Sequence, residues 1–268
     1  MNQRQYLRGL ALIGLVLGAT AAAAHDTWLL PSRSSSRAGA RVLLAMTSGM
    51  AFPRNETAID PARIAAASMR LAGSTTPLTV HKRGSDALAL DVTPARAGVA
   101  TLWVELHPRT LALTPEQVTE YLEEIGAPAE VRERWEKAAT PRRWRESYVK
   151  HAKTFVRVGM PTADHSWAEP VGMSFELIPE QDPTAVRSSE HITLRLLRHG
   201  APAAGVAVAL VAEGGGPAVL HTTDGAGRVT FELGRSGRWM ARATELRPSS
   251  REELDWESEF TTLTFTVR

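Results

Sequence analysis

The chemistry this sequence could support gathers where Ala22-Ala23-Ala24 gives way to His25-Asp26-Thr27-Trp28. Arg4 and Arg8 make a basic start, Leu10–Leu17 an apolar core, and the alanines a small-residue cleavage site. Together they read as a secretory signal peptide over residues 1–24. Cleavage after Ala24 would leave His25 first. Its free α-amine, with a pKa of about 7.7–8.0, and its imidazole would then form one bidentate nitrogen chelate, suited to Ni, Co, Cu or Zn. Asp26 adds a neighbouring carboxylate. The plain alternative is a polar residue that happens to follow the leader, and a cut displaced by one residue would destroy the chelate.

Further ligands would have to come from elsewhere. Alternation along Thr101–His107 places His107 on the same strand face as Glu105. His151 lies in a polar run that leads into the apolar strand Thr154–Val158. His165 sits in a Pro/Gly-bounded loop with Trp167, and His81, His191, His199 and His221 lie beside turns, where solvation is expected. No His-x-His or His-x-x-x-His pair exists, so any metal site must be assembled from distant segments.

Composition narrows the classes. The chain has 268 residues and no cysteine, which removes disulfide scaffolds, thiolate zinc sites and cysteine nucleophiles. The leader holds two of the 31 basic residues and none of the 29 acidic ones. The exported chain therefore carries 29 of each, and nucleic-acid binding has no electrostatic footing. No segment reaches the run of about 20 apolar residues that a membrane span needs. A Gly-x-Ser-x-Gly elbow, a His-Glu-x-x-His helix and a phosphate loop are all missing, so no enzyme is expected.

The elements that must position His25 read as mainly β. Residues 25–112 carry short apolar runs, Arg41–Thr47, Leu78–His81, Ala87–Val92 and Ala100–Leu106, between Gly/Pro/Ser clusters, the pattern of a β-sandwich. Asp60–Ala67 adds a helical turn. Residues 113–144 change period: Thr114 caps, Pro115 opens and Gln117 completes a capping box for a helix whose apolar face is Val118, Tyr121, Leu122 and Ile125. Gly126 and Pro128 end it, and Ala129–Ala139 follows as a second helix. Residues 145–170 connect to a second sandwich, 171–268, of seven short strands. There Asp224 and Gly227 shape a tight turn and Trp239 reads as a core aromatic. The expected fold is two immunoglobulin- or prealbumin-like β-sandwich domains with a short helical insert.

Several segments also resemble a known family: Ala24–Pro31, Gly49–Pro53, Tyr121–Gly126, Arg145-Glu146-Ser147-Tyr148 followed by Ala152-Lys153, Val156–Gly159, Thr223–Arg228, Gly237-Arg238-Trp239 and Asp255–Ser258. The set resembles an uncharacterised family of bacterial periplasmic proteins grouped with NikM/NikK-type nickel and cobalt uptake accessory components. The resemblance implies a periplasmic part in handling a divalent transition metal, with a metal-uptake transporter or an outer-membrane receptor as partner. His25 and Asp26 match the family's residues after the signal, and Glu146, Tyr148 and Lys153 its charged motif. Glu146 and Lys153 could equally form an ion pair tying the helical insert to the strands. On this reading His25 is the primary ligand, with Asp26, His107 or His151 completing the shell around one metal ion. A different class is a non-catalytic sandwich that binds a carbohydrate, a peptide or an envelope partner through Trp28, Trp103 or Trp167. A histidine-brace copper oxidase is the remaining alternative and needs a second His beside His25.

Overall fold

The structure is a computed structural model that describes residues 25–268, and the leader expected over 1–24 lies outside the described residues. Three sheets and one helical hairpin build the molecule. Its middle layer is a ten-strand sheet in which Arg145–Val158 and Trp256–Val267 pair in parallel, Glu146 opposite Trp256. Gly98–Leu106 and Ile64–Leu71 extend this sheet on one side, and Gly237–Pro248, Ala207–Ala212 and Val219–Thr222 on the other. One continuous layer thus draws on the early and the late parts of the chain.

Side chains alternate across a strand, so this layer buries two faces under different covers. On one face Leu102, Val104, Ala152 and Val156 pack against Leu44, Met46, Leu88 and Leu90. Their partners belong to the sheet formed by Asp26–Pro31, Val42–Gly49, Leu88–Val92 and Thr79–Arg83. On the other face Val99, Phe155, Leu263 and Phe265 meet Leu177, Ile192, Leu194 and Phe231. Those residues lie on Phe175–Pro179, His191–Arg198 and Arg228–Glu232. The fold is mainly β, two sandwiches that share their middle layer, and Trp239 is in the second core as expected.

The Asp26–Pro31 strand is held down on the first face by side chains. Thr262 and Thr264 donate their hydroxyls to the carbonyls of Thr27 and Leu29, each at 2.6 Å. Beside it the helical hairpin covers the rest of that face. Helix α1 (Pro115–Glu124) opens with the expected capping box between Thr114 and Gln117. It closes as a Schellman motif: the Ala127 amide donates to Leu122 and the Gly126 amide to Glu123. Gly126 has a φ of +60°, which favours glycine, and a Cβ there would press on the Ala207 methyl at 3.2 Å. Helix α2 (Ala129–Glu136) follows, and Val118, Tyr121, Leu122, Val131 and Trp135 pack on Trp144, Tyr148, Trp256 and Phe260.

Two local expectations change. The polar run from Arg145 to Lys153 is part of one strand, Arg145–Val158, because its charged residues find buried partners on both faces. The helical turn near Asp60 shrinks to the 3-10 turn Pro61–Arg63, capped by Asp60, before the Ile64–Leu71 strand begins. The turn at Asp224 forms as expected: its carboxylate accepts from the amides of Ala226 and Arg228, at 2.9 and 2.8 Å. Gly227, at φ +73°, leaves no room for a Cβ, which would lie 2.5 Å from the Leu196 carbonyl.

Candidate functional site

Asp26, at the start of its strand, α1 at its last turn and the Gly237–Pro248 strand meet at one point. There Arg242 donates from Nη1 to Asp26 at 2.9 Å and to Glu124 at 3.4 Å. Glu124 closes α1, where a carboxylate faces the negative end of the helix dipole, and Arg242 offsets that cost. Just below, Lys150 donates from Nζ to the carbonyl of His25 and lies 5.1 Å from the Phe260 ring centre. Above these charges opens a cleft of about 200 Å³. Met50, Phe52, Val211 and Met240 give it an apolar wall, with Asp26, Glu124 and Arg242 as its charged residues. A small concave site with an apolar lining and a few converging polar groups is the usual form of a ligand site.

Burial sets the electrostatics here. It raises the pKa of Asp26, against the opposing pull of Arg242. Glu124 is raised by the same cause, and the Arg242 charge again works against the shift. Burial also holds the Lys150 ammonium down to about 8, although Asp26 favours its charge. His25 is lowered by burial and then by Lys150, with Glu56 and Asp26 acting in the other direction. Its ring lone pair is therefore free near neutral pH. Among the residues that line the cleft two carboxylates share one guanidinium, which gives the lining an excess negative charge; Lys150 lies beneath and is not one of them.

The candidates from the sequence divide sharply. Asp26 lines the cleft and His25, next to it in the chain, gives its carbonyl to Lys150, whereas His107 is exposed at a strand end with its amide on the Arg63 carbonyl. His151 points to the opposite face of the central sheet from Lys150, as adjacent strand residues must. The four expected ligands therefore do not converge. Among the described residues no group of three or more His, Cys, Asp and Glu could hold a metal ion. As side chains alone, His25 and Asp26 do not hold a dication either, because the Asp26 carboxylate is already taken by Arg242.

Glu146 and Lys153 are not paired with each other, since they too lie on opposite faces. Glu146 accepts from Tyr121 Oη at 3.0 Å, from Trp144 Nε1 at 2.7 Å and from Ser258, which fastens the helical insert. Tyr148 lies beneath the same insert, with the Arg63 guanidinium 5.5 Å from its ring centre. Lys153 pairs with Glu176 and donates to the Leu177 carbonyl at 2.9 Å. The aromatic platform fails as well: Trp28, Trp103 and Trp167 are all buried. The sequence reading missed Glu124, Lys150 and Arg242. A lysine among alternating large residues, Tyr148-Val149-Lys150, was the one signal available.

On the far face a second polar group surrounds His151. Ser174 Oγ is 3.1 Å from its Nε2, and Glu105 is 3.6 Å from its Nδ1. That order resembles nucleophile, base and orienting carboxylate. Ser174, however, gives its hydroxyl proton to Glu259, which also takes Arg247. The hydroxyl is spent on that bond, and the group reads as structure.

Fold and cleft together define a double β-sandwich with a charged N-terminal cleft. The chain belongs to the DUF4198 family, described as a domain of unknown function, whose model matches residues 22–245. No curated protein matches. Among solved structures, the D0-D1 domain of intimin aligns over 88% of this chain and 96% of its own at 11% identity, with a TM-score of 0.23. The Yersinia pseudotuberculosis adhesin InvE aligns over 90% and 59% at 13% identity, with a TM-score of 0.24. Murine CEACAM1b aligns over 91% and 99% at 11% identity and scores 0.21. At such scores they carry no argument, and the sandwich reading rests on the sheets themselves. Among the described residues no helix is long and apolar enough to cross a membrane.

Proposed function

We propose that the protein is a non-catalytic, exported binding module whose ligand seats in the cleft beside Asp26. One observation carries this reading: Asp26, Glu124 and Arg242, from three distant parts of the chain, converge beneath an apolar-walled cleft. The excess carboxylate selects a small cationic ligand, and the wall of Met50, Phe52 and Met240 favours one with an apolar body. Calorimetric titration of the secreted protein with small alkylammonium ligands tests it. Glu124→Gln should weaken binding about tenfold; unchanged affinity would sink the proposal.

The nickel- or cobalt-type reading is a narrower form of the same site, favoured by the depressed pKa of His25. After cleavage at Ala24 the α-amine would join the ring nitrogen as a second donor, and Asp26 would turn from Arg242 to the ion. A transporter or outer-membrane receptor that passes the ion on would then be the partner. Intact mass of the secreted chain, followed by titration with Ni, Co, Cu and Zn, separates the two readings. Metal binding lost in His25→Ala supports the narrower one. Alkylammonium binding that survives His25→Ala, with no metal bound, supports the broader one alone.

A further inference from the structure

At the opposite end of the Asp26–Pro31 strand from the cleft, the chain runs Ser32-Arg33-Ser34-Ser35-Ser36-Arg37-Ala38-Gly39-Ala40-Arg41 before it rejoins the sheet. This segment is well tied. The amides of Arg157 and Gly159 donate to the carbonyls of Ser34 and Ser36, at 2.9 and 2.8 Å. The Gly39 amide donates to Pro94 at 2.7 Å. The segment bends round a groove of about 890 Å³ lined by Arg33, Arg37, Arg41 and Leu43.

The charges here are unequal in their partners. Arg41 is paired with Asp91. Arg33 and Arg37 are exposed, and no ion pair or hydrogen bond holds either guanidinium among the described residues; the same holds for Arg96, in the loop that Gly39 touches. Two apolar side chains stand beside these cations. Leu43 is 48% exposed in the groove, and Met160, next to Gly159, is 78% exposed. Guanidinium groups pair bidentately with phosphate oxygens. Exposed apolar residues at the level of such cations are what an interfacial lipid-binding surface presents.

We infer that this end of the molecule docks on anionic phospholipid headgroups at a membrane surface. Arg33, Arg37 and Arg96 take the phosphates, while Leu43 and Met160 enter the boundary between headgroups and acyl chains. Attachment of this kind is reversible and salt-dependent. It holds the cleft about 20 Å away, the length of a six-residue strand, where it stays open to its ligand. The inference does not depend on what the cleft binds.

The test is co-sedimentation of the secreted protein with vesicles of phosphatidylcholine containing about a third phosphatidylglycerol, and with phosphatidylcholine alone. Binding to the anionic vesicles only is expected, falling about tenfold or more when salt rises from about 0.05 M to about 0.3 M. The double variant Arg33→Glu/Arg37→Glu should lose at least about tenfold. Met160→Ser should lose a few-fold at either salt, and Arg143→Glu, exposed at the other end of the Arg145–Val158 strand, nothing. Circular dichroism of each variant establishes that the surface changes leave the fold intact. Equal binding to neutral vesicles, or indifference to the charge reversal, would overturn the inference. So would capture of soluble polyphosphate without capture of vesicles.

Discussion

Lys150 and Lys153 stand three residues apart on one strand, both buried, and face opposite sides of the central sheet. Lys153 is matched group for group. Its ammonium meets Glu176, whose carboxylate also takes the amides of Val171 and Gly172, at 2.7 and 3.0 Å. Every polar atom in that set has a partner and none borders the cleft. Lys150 is matched only in part: it holds a backbone carbonyl and two ring faces, and no carboxylate pairs with it among the described residues. The carboxylates that favour its charge, Asp26, Glu146 and Glu124, act from farther off. A closed pair serves the fold, whereas an under-compensated cation beside a cleft is the mark of a site.

That contrast makes a stability prediction of the largest size. Lys153→Met leaves Glu176 buried without its cation, and breaking such a pair costs about 3–5 kcal/mol. The loss should appear as a lower urea midpoint at unchanged slope. Adding Glu176→Gln should restore part of it. Lys150→Met, which orphans no paired carboxylate, should cost about 1 kcal/mol or less. Equal losses for the two lysines would erase the distinction between the faces.

The faces also separate by pH, at opposite ends of the scale. On the His151 side, burial works against the Glu259 charge, yet the His151 ring 3.7 Å away and the hydrogen bonds from Ser174 and Arg247 outweigh it and hold the pKa at about 2. A depressed carboxylate stabilises the fold above its unfolded value of about 4.3 and ceases to do so as pH falls through the folded one. Wild type should therefore exceed Glu259→Gln by at most about 3 kcal/mol at neutral pH, and the gap should close toward pH 2.

Lys150 behaves in the opposite sense. Its folded pKa, about 8, lies below an unfolded value of about 10.4. Between those limits the unfolded chain binds more protons, so stability rises with pH, by about 2 kcal/mol from pH 8 to about pH 9.5. Tyr121, raised well above its usual value by burial, titrates beyond that window. Chemical denaturation across it should show the rise in wild type and none in Lys150→Met. A flat wild-type profile would mean that Lys150 is not buried as described.

Local signals made the helices readable. Thr114, Pro115 and Gln117 act within one turn, and Gly126 marks its stop by conformation alone. The sandwiches were readable because apolar alternation survives in strands such as Gly98–Leu106. His25 and Asp26 stood out because the residues before them read as a leader in sequence. The rest of the cleft did not, for a physical reason: Arg242 reaches Asp26 across 216 residues and Glu124 across 118. Charges in Arg145–Lys153 hid a central strand, since hydrophobic periodicity is blind to ions buried with partners. Tryptophan misled for the converse reason. Residue type suggested exposed platforms, while packing drew Trp28, Trp103 and Trp167 inside.

The smallest expected effect on folding is the most informative about the cleft. Glu124 is partly exposed, shares Arg242 with Asp26 and has a pKa raised chiefly by burial. Its charge therefore contributes little to stability, and Glu124→Gln should change the unfolding free energy by less than about 0.5 kcal/mol. Because Arg242 then neutralises Asp26 alone, the cleft loses its excess negative charge. Affinity for an alkylammonium ligand should fall about tenfold while the fold is unaffected. A large stability loss with unchanged affinity would turn the cleft into a second closed pair, like that of Lys153, and the difference between the two faces would be one of exposure rather than of function.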